Sequence, residues 1–180
     1  MNTATKIDSH NIVSTNEAAN IIEAAVNAQI NTVGESNLPA IMLRGQPGVG
    51  KSTIVRDIAK KLGIEFIDVR LAQLERVDFC GLPSVEDNVT KWNVPAFWPR
   101  DKKSKGILML DEITSAPSDL QVAAYQLVLD RQISNSNYKL PDGWYIVESK
   151  NSETIYTPVA YPLEDVRVVN ISGLEYAYFG

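Results

Sequence analysis

Two hydrophobic periods alternate along this chain, one helical and one extended, and the switches between them outline a layered fold. Ser14-Thr15-Asn16-Glu17 has capping-box spacing ahead of Ala18, Ala19, Ile21, Ile22, Ala25, Val26 and Ile30. That stripe predicts an amphipathic helix of about four turns, ending near Gly34 and packing on the edge of a sheet. After Asn37-Leu38-Pro39 the unbroken apolar run Ala40-Ile41-Met42-Leu43 reads as a buried strand. Positions 54, 55, 58, 59 and 62 then fall on one helical face, Gly63 stops that helix, and Glu65–Arg70 reads as a second strand. Two strands with a helix of this length between them imply a right-handed parallel crossover.

Residues 71–105 are less regular. Leu71–Leu74 suits one helical turn, and Gly81-Leu82-Pro83 and Asp87-Asn88 mark turns. Trp92 and Trp98 stand beside prolines and are costly to expose, so part of this segment should pack on the core or on a neighbour. The basic stretch Arg100–Lys105 reads as a solvated loop. Ile107–Leu110 is a third buried strand, and Leu120, Ala123, Ala124, Leu127 and Val128 recur at helical spacing behind the capping-type residues Ser115–Asp119. Arg131-Gln132-Ile133 closes that helix, and turns follow at Asn135–Asn137 and Lys139–Gly143. Trp144–Val147 reads as a strand running towards Lys150-Asn151, and Val166–Ile171 as the last one.

Chemistry sits where two of these strands end. Gly45-Gln46-Pro47-Gly48-Val49-Gly50-Lys51-Ser52, followed by Thr53, fits the phosphate-loop pattern G-x-x-x-x-G-K-[ST] in its required strand–loop–helix context. Gly45, Gly48 and Gly50 let the backbone approach phosphates closely. The N–H groups of Gly45 to Thr53 then form an anion-binding concavity at a helix N-terminus. Lys51 suits β- and γ-phosphates and Ser52 suits Mg²⁺. The plainer alternative is a glycine-rich turn, which leaves the flanking strand and helix unexplained. Asp111-Glu112 closes the third strand about sixty residues on. As a Walker B pair, Asp111 serves the metal's water shell and Glu112 polarises the attacking water; as a solvated turn they would do nothing.

Composition narrows the setting. The 180 residues suit one domain, and 44% apolar with 22% charged is ordinary for a globular chain. A net charge of −5 argues against non-specific nucleic-acid binding, while a local basic patch stays compatible. Cys80 is the sole cysteine, which excludes an intrachain disulfide, and the sole histidine, His10, reads as solvated. With no signal pattern and no apolar run near the roughly 18 residues of a membrane span, a cytoplasmic location is expected. Residues 1–13 read as a polar tail and 14–180 as one α/β core.

The order of elements and motifs resembles the AAA+ ATPases, and among them the MoxR-like group. Gly45 to Ser52, Gly81-Leu82-Pro83, Leu108 to Ile113, Leu127 to Gln132 and Leu140 to Val147 carry the likeness, over roughly residues 15–150. The resemblance implies a P-loop α/β/α sandwich with a parallel sheet ordered 5-1-4-3-2, ATP and Mg²⁺ at a subunit junction, and a homo-oligomeric ring, commonly a hexamer. It also implies a sensor-1 residue, matched by Asn151, within Lys150-Asn151-Ser152 where related chains read Gly-Asn-Arg. An arginine finger matches Arg167 one residue out of step, with Arg100 and Arg131 as other candidates to act in trans. The family's helical lid has no counterpart before Gly180, and residues 150–180 diverge.

The leading expectation is therefore Mg-dependent ATP hydrolysis coupled to remodelling of a protein partner. The alternatives are a nucleotide-binding scaffold with little turnover, a GTP-driven translocase subunit resembling McrB, and a small-molecule P-loop kinase. The last fits the Asp111-Glu112 pair poorly.

Overall fold

The computed structural model describes residues 12–32, 38–134, 136–151 and 166–171, with the backbone alone at Ile12 and 166–171. In chain order these form β1 (Ile12–Val13), α1 (Thr15–Asn31), β2 (Ala40–Gly45), α2 (Lys51–Leu62), β3 (Glu65–Arg70), α3 (Arg76–Cys80), β4 (Leu82–Glu86), β5 (Val89–Asn93), β6 (Gly106–Asp111), α4 (Ser118–Asp130), β7 (Trp144–Asn151) and β8 (Val166–Ile171). Short 3₁₀ turns follow β3 at Leu71–Gln73 and β6 at Ile113–Ser115.

Six strands make one parallel sheet in the order β1-β8-β2-β7-β6-β3. Without β1 this is the expected 5-1-4-3-2 arrangement. The first crossover therefore does not join neighbours, because β7 and β6 lie between β2 and β3. Ile12 and Val13, expected in a polar tail, instead pair with Asn170 and Ile171 of β8.

Two apolar layers flank the sheet, which explains why its central strands read as continuous apolar runs. On one face Ala18, Ile22 and Val26 of α1 and Val55, Ile58 and Ala59 of α2 meet Ile41, Leu43, Ile107, Met109 and Val147. Full burial of Val55 or Ile58 contributes about 2 kcal/mol each. Helix α1 thus lies on a sheet face beside α2 rather than on the sheet edge. The other face packs Phe79 of α3 and Leu120, Ala124 and Leu127 of α4 against Met42, Leu108, Leu110 and Ile146.

Local chemistry sets the element ends. The capping box of α1 is present: Glu17 N–H donates to Ser14 Oγ (3.2 Å) and Ser14 N–H to Glu17 Oε2 (2.8 Å). Gly63 ends α2 at φ 66°. The start of α4 departs from expectation: its N-cap is Pro117, which makes no side-chain capping bond. Buried Gln29 ties α1 to the loop before β7, donating through Nε2 to Asp142 O (2.8 Å) while Oε1 accepts from Leu38 N–H (2.8 Å). His10, Gly34 and Asn135 lie outside the described residues.

The segment expected to be irregular holds a two-stranded antiparallel hairpin, β4–β5, closed by Asp87 and Asn88 at φ 52° and 59°. Two consecutive left-handed residues define the turn that matches strand twist. Leu82, Val85 and Val89 are exposed on this hairpin. At its base Gly81 has φ 86°, and a Cβ there would stand 2.0 Å from Asn93 O. Gly81→Ala is therefore expected to cost about 2 kcal/mol, from backbone strain and displacement of β5, measurable by denaturant unfolding. Unchanged stability would show that the hairpin base can shift freely. Trp98 packs as anticipated, edge-on to Phe79 at 5.0 Å with its Nε1–H donating to Phe79 O (2.9 Å), whereas Arg100 to Lys103 are exposed.

Candidate nucleotide site

Parallel strands place all their C-terminal ends along one edge, and the candidate residues gather there. Register aligns Gly45 at the end of β2 with Asn151 at the end of β7. The neighbouring β6 ends in Asp111, followed by Glu112. A cleft of about 300 Å³ at this edge is lined by Pro47, Gly48, Gly50, Lys51, Ser52, Thr53, Arg56, Arg70, Asp111, Glu112 and Asn151.

Gly48 and Gly50 adopt φ 81° and 86°, the left-handed region closed to most side chains. Gly45 needs no such freedom, because it is the last residue of β2. Helix α2 begins at Lys51, so the free N–H groups of its first turn face the cleft with the positive end of the helix dipole. Gln46, Pro47 and Val49 complete the loop, and Val49 is buried.

Lys51 is only 7% exposed, and its ammonium has three protein acceptors: Gly45 O (3.0 Å), Gln46 O (3.0 Å) and Asn151 Oδ1 (2.9 Å). Burial pushes its pKa below the usual lysine value, against the pull of the Asp111 and Glu112 carboxylates. Asn151 Nδ2 in turn donates to Glu112 Oε1 (2.7 Å). Cation, amide and carboxylate therefore form one connected chain from the start of α2 across the ends of β7 and β6.

Beside it Ser52 Oγ–H donates to Asp111 Oδ2 (3.3 Å). A hydroxyl and a carboxylate so placed fit Mg²⁺, a hard ion that keeps waters and phosphate oxygens as its remaining ligands. Among the described residues no group of three or more His, Cys, Asp or Glu is arranged to hold a metal. The Ser52–Asp111 pair does not need one, since a nucleotide would supply the other ligands.

Sequence reasoning missed three contributors. Ser149 Oγ–H donates to Asp111 Oδ1 and accepts the Glu112 N–H (3.2 Å), holding the turn where Glu112 sits at φ 56°. Arg56 and Arg70 line the cleft, one from α2 and the other from the end of β3. A serine two residues before Asn151 on a strand was the available signal for Ser149, because alternate strand residues share a face.

The three arginines considered for action in trans separate clearly. Arg131 is 3% exposed, with Nη2 donating to Pro141 O (2.7 Å) and Trp144 O (2.8 Å), which removes it from any subunit surface. Arg100 is exposed and donates to Val94 O (3.1 Å). Arg167 lies in β8 with its Cα paired to Ile41, and its side chain is outside the described residues.

Residues 40–167 match the AAA domain of the dynein-related subfamily, so the chain belongs to that family. It is 27% identical over 165 residues to Lon protease 2 of Borreliella burgdorferi, covering 82% of this chain and 20% of the relative. It is 24% identical over 147 residues to a Lon protease of Brevibacillus choshinensis, covering 75% and 18%. Among solved structures it is similar to NtrX from Brucella abortus in complex with ADP, with a TM-score of 0.53 and 18% identity over 88% of this chain and 35% of that one. The chain thus spans about a fifth of the length of these curated relatives. Among the described residues, no helix is long and apolar enough to cross a membrane.

Proposed function

We propose that residues 14–180 form the nucleotide-binding core of a MoxR-like ATPase that hydrolyses ATP and uses the cycle to remodel a protein partner within a ring, commonly a hexamer. The observation that carries this reading is the hydrogen-bonded chain Lys51–Asn151–Glu112 at the mouth of a phosphate loop. ATP in the loop would offer Lys51 its β- and γ-phosphate oxygens in place of protein acceptors, Asn151 Oδ1 among them, freeing Asn151 to turn to the attacking water. Glu112 accepts a proton from that water as it adds in line to the γ-phosphorus, and the anhydride oxygen leaves with ADP. Mg²⁺ would be held by Ser52 and Asp111 and would supply positive charge for the phosphate oxygens.

Gly45 to Thr53 supply the loop, and Arg167 is the proposed arginine finger for a neighbouring subunit. The AAA family and the ADP complex of NtrX, a protein of similar fold, support nucleotide binding at this edge. The test is phosphate release from ATP with Mg²⁺ across a range of protein concentrations. Turnover rising faster than linearly is the expected result, because the site is shared between subunits. ATP binding with no release at any concentration would overturn hydrolysis in favour of a nucleotide-holding scaffold. Preference for GTP would point to the McrB-like alternative.

A further inference from the structure

Strand β3 ends in a cation that the proposed cycle leaves unused. Arg70 lines the phosphate cleft and is exposed, and among the described residues it makes no hydrogen bond or close ion pair, meeting Asp68 only through its field. Its orientation follows from its neighbours. Asp68 receives Arg56 Nη2 from α2 (3.4 Å), and Asp111 receives Ser52 from the same helix, so both face α2. Arg70 is two residues beyond Asp68 and paired in register with Asp111, so it leaves the sheet on that face too.

Position along the edge distinguishes it from the loop cations. From the phosphate loop the successive strand ends are Gly45, Asn151, Asp111 and Arg70. At ~4.8 Å per strand, the Arg70 backbone is roughly 14 Å from that of Gly45. With the β-phosphate in the loop and on Lys51, a triphosphate would extend its γ-phosphate from Lys51 towards Asp111, on the side of the cleft that Arg70 lines.

Resting on the nucleotide reading above, we propose that Arg70 is a specificity residue that contacts the γ-phosphate within its own subunit and makes the site discriminate triphosphate from diphosphate. A planar, always-charged guanidinium with parallel N–H groups suits two oxygens of a terminal phosphate. Arg56 is less suited: it is already engaged by Asp68 and lies over the Phe66 ring at 5.5 Å.

The experiment measures Mg-dependent binding of ADP and of the β,γ-imido analogue of ATP to the full chain and to Arg70→Ala, Arg70→Lys and Arg56→Ala. Arg70→Ala should weaken the triphosphate about tenfold while leaving ADP within about twofold, because one charge-assisted contact is lost from the γ-phosphate alone. Arg70→Lys should recover part of the loss, and a larger change in the triphosphate-to-diphosphate ratio from Arg56→Ala than from Arg70→Ala would give the role to Arg56 and overturn the proposal. Equal loss for both nucleotides, as a merely structural role would produce, overturns the proposal, as does no loss for either. A wild-type chain that binds neither nucleotide overturns the nucleotide reading itself, and the Arg70 assignment with it.

Discussion

Glu112→Gln should slow ATP hydrolysis by about 10²–10⁴-fold, the usual contribution of a positioned general base, while ATP affinity changes little. The amide keeps the shape of the carboxylate, and its oxygen can still accept from Asn151 Nδ2, now 2.7 Å from Glu112 Oε1. It cannot take a proton from water. Glutamine also tolerates the left-handed backbone at φ 56° no worse than glutamate, so the turn held by Ser149 should persist. Single-turnover phosphate release and equilibrium ATP binding on the same preparations check both halves. Undiminished turnover would remove Glu112 from the chemistry. Parallel loss of binding would mean that its charge holds the empty loop together rather than activating water.

The second large effect concerns stability. Glu148 lies on β7, paired in register with Met42 of β2 and Leu110 of β6, and is 1% exposed. Neither carboxyl oxygen has a hydrogen-bond partner among the described residues, and burial pushes its pKa up from 4.5 to about 7. The folded protein therefore holds a proton between these values that the unfolded chain has released. Stability falls as pH rises through that window, since it follows the protons bound by the unfolded minus the folded state. The size is about 3 kcal/mol, because the interval from 4.5 to about 7 is worth 1.36 kcal/mol per pH unit.

Glu148→Gln should remove this component. The difference between wild-type and variant unfolding free energies should change by about 3 kcal/mol from pH 4.5 to above pH 7, whatever constant offset the amide introduces. A flat difference would mean that Glu148 is already ionised in the fold. Arg44, on the same sheet face and with a buried Nε that also lacks a partner, would then be its counter-ion.

How legible these features were depended on which faces of an element are buried. β2, β6 and β7 are covered on both faces, so Ile41–Leu43, Ile107–Leu110 and Trp144–Val147 stood out as apolar runs. The phosphate loop and Asp111-Glu112 were readable because their residue types follow from the chemistry. The β4–β5 hairpin was not, because it adds no residue to either buried cluster and Leu82, Val85 and Val89 face outward; Val85 is 74% exposed. Its one signal was Asp87-Asn88 between β-branched residues, two types that tolerate left-handed backbone. β1 is two residues long and exists only as a partner for β8. Pattern alone assigned α1 a buried stripe but not a layer, since edge and face demand the same periodicity. Arg70 stayed hidden for a related reason: a charge ending a strand looks solvated until register sets it beside Asp111.

Strand order also dictates when this protein can become itself. β2 comes early in the chain, yet both its neighbours come late: Ile41 waits for Val147, and Ala40 for Val166. Until then the strand that carries the loop has two open edges, and Lys51 lacks Asn151 as an acceptor. Such distant pairings must be closed against chain entropy before they reward the fold, which slows folding and prolongs exposure of apolar edges. During synthesis the first four-fifths of the chain is therefore a sticky, incomplete intermediate that cannot hold its phosphate loop in working order. Vulnerability to aggregation should be greatest just before β7 emerges, and the site should be the last part of the molecule to mature.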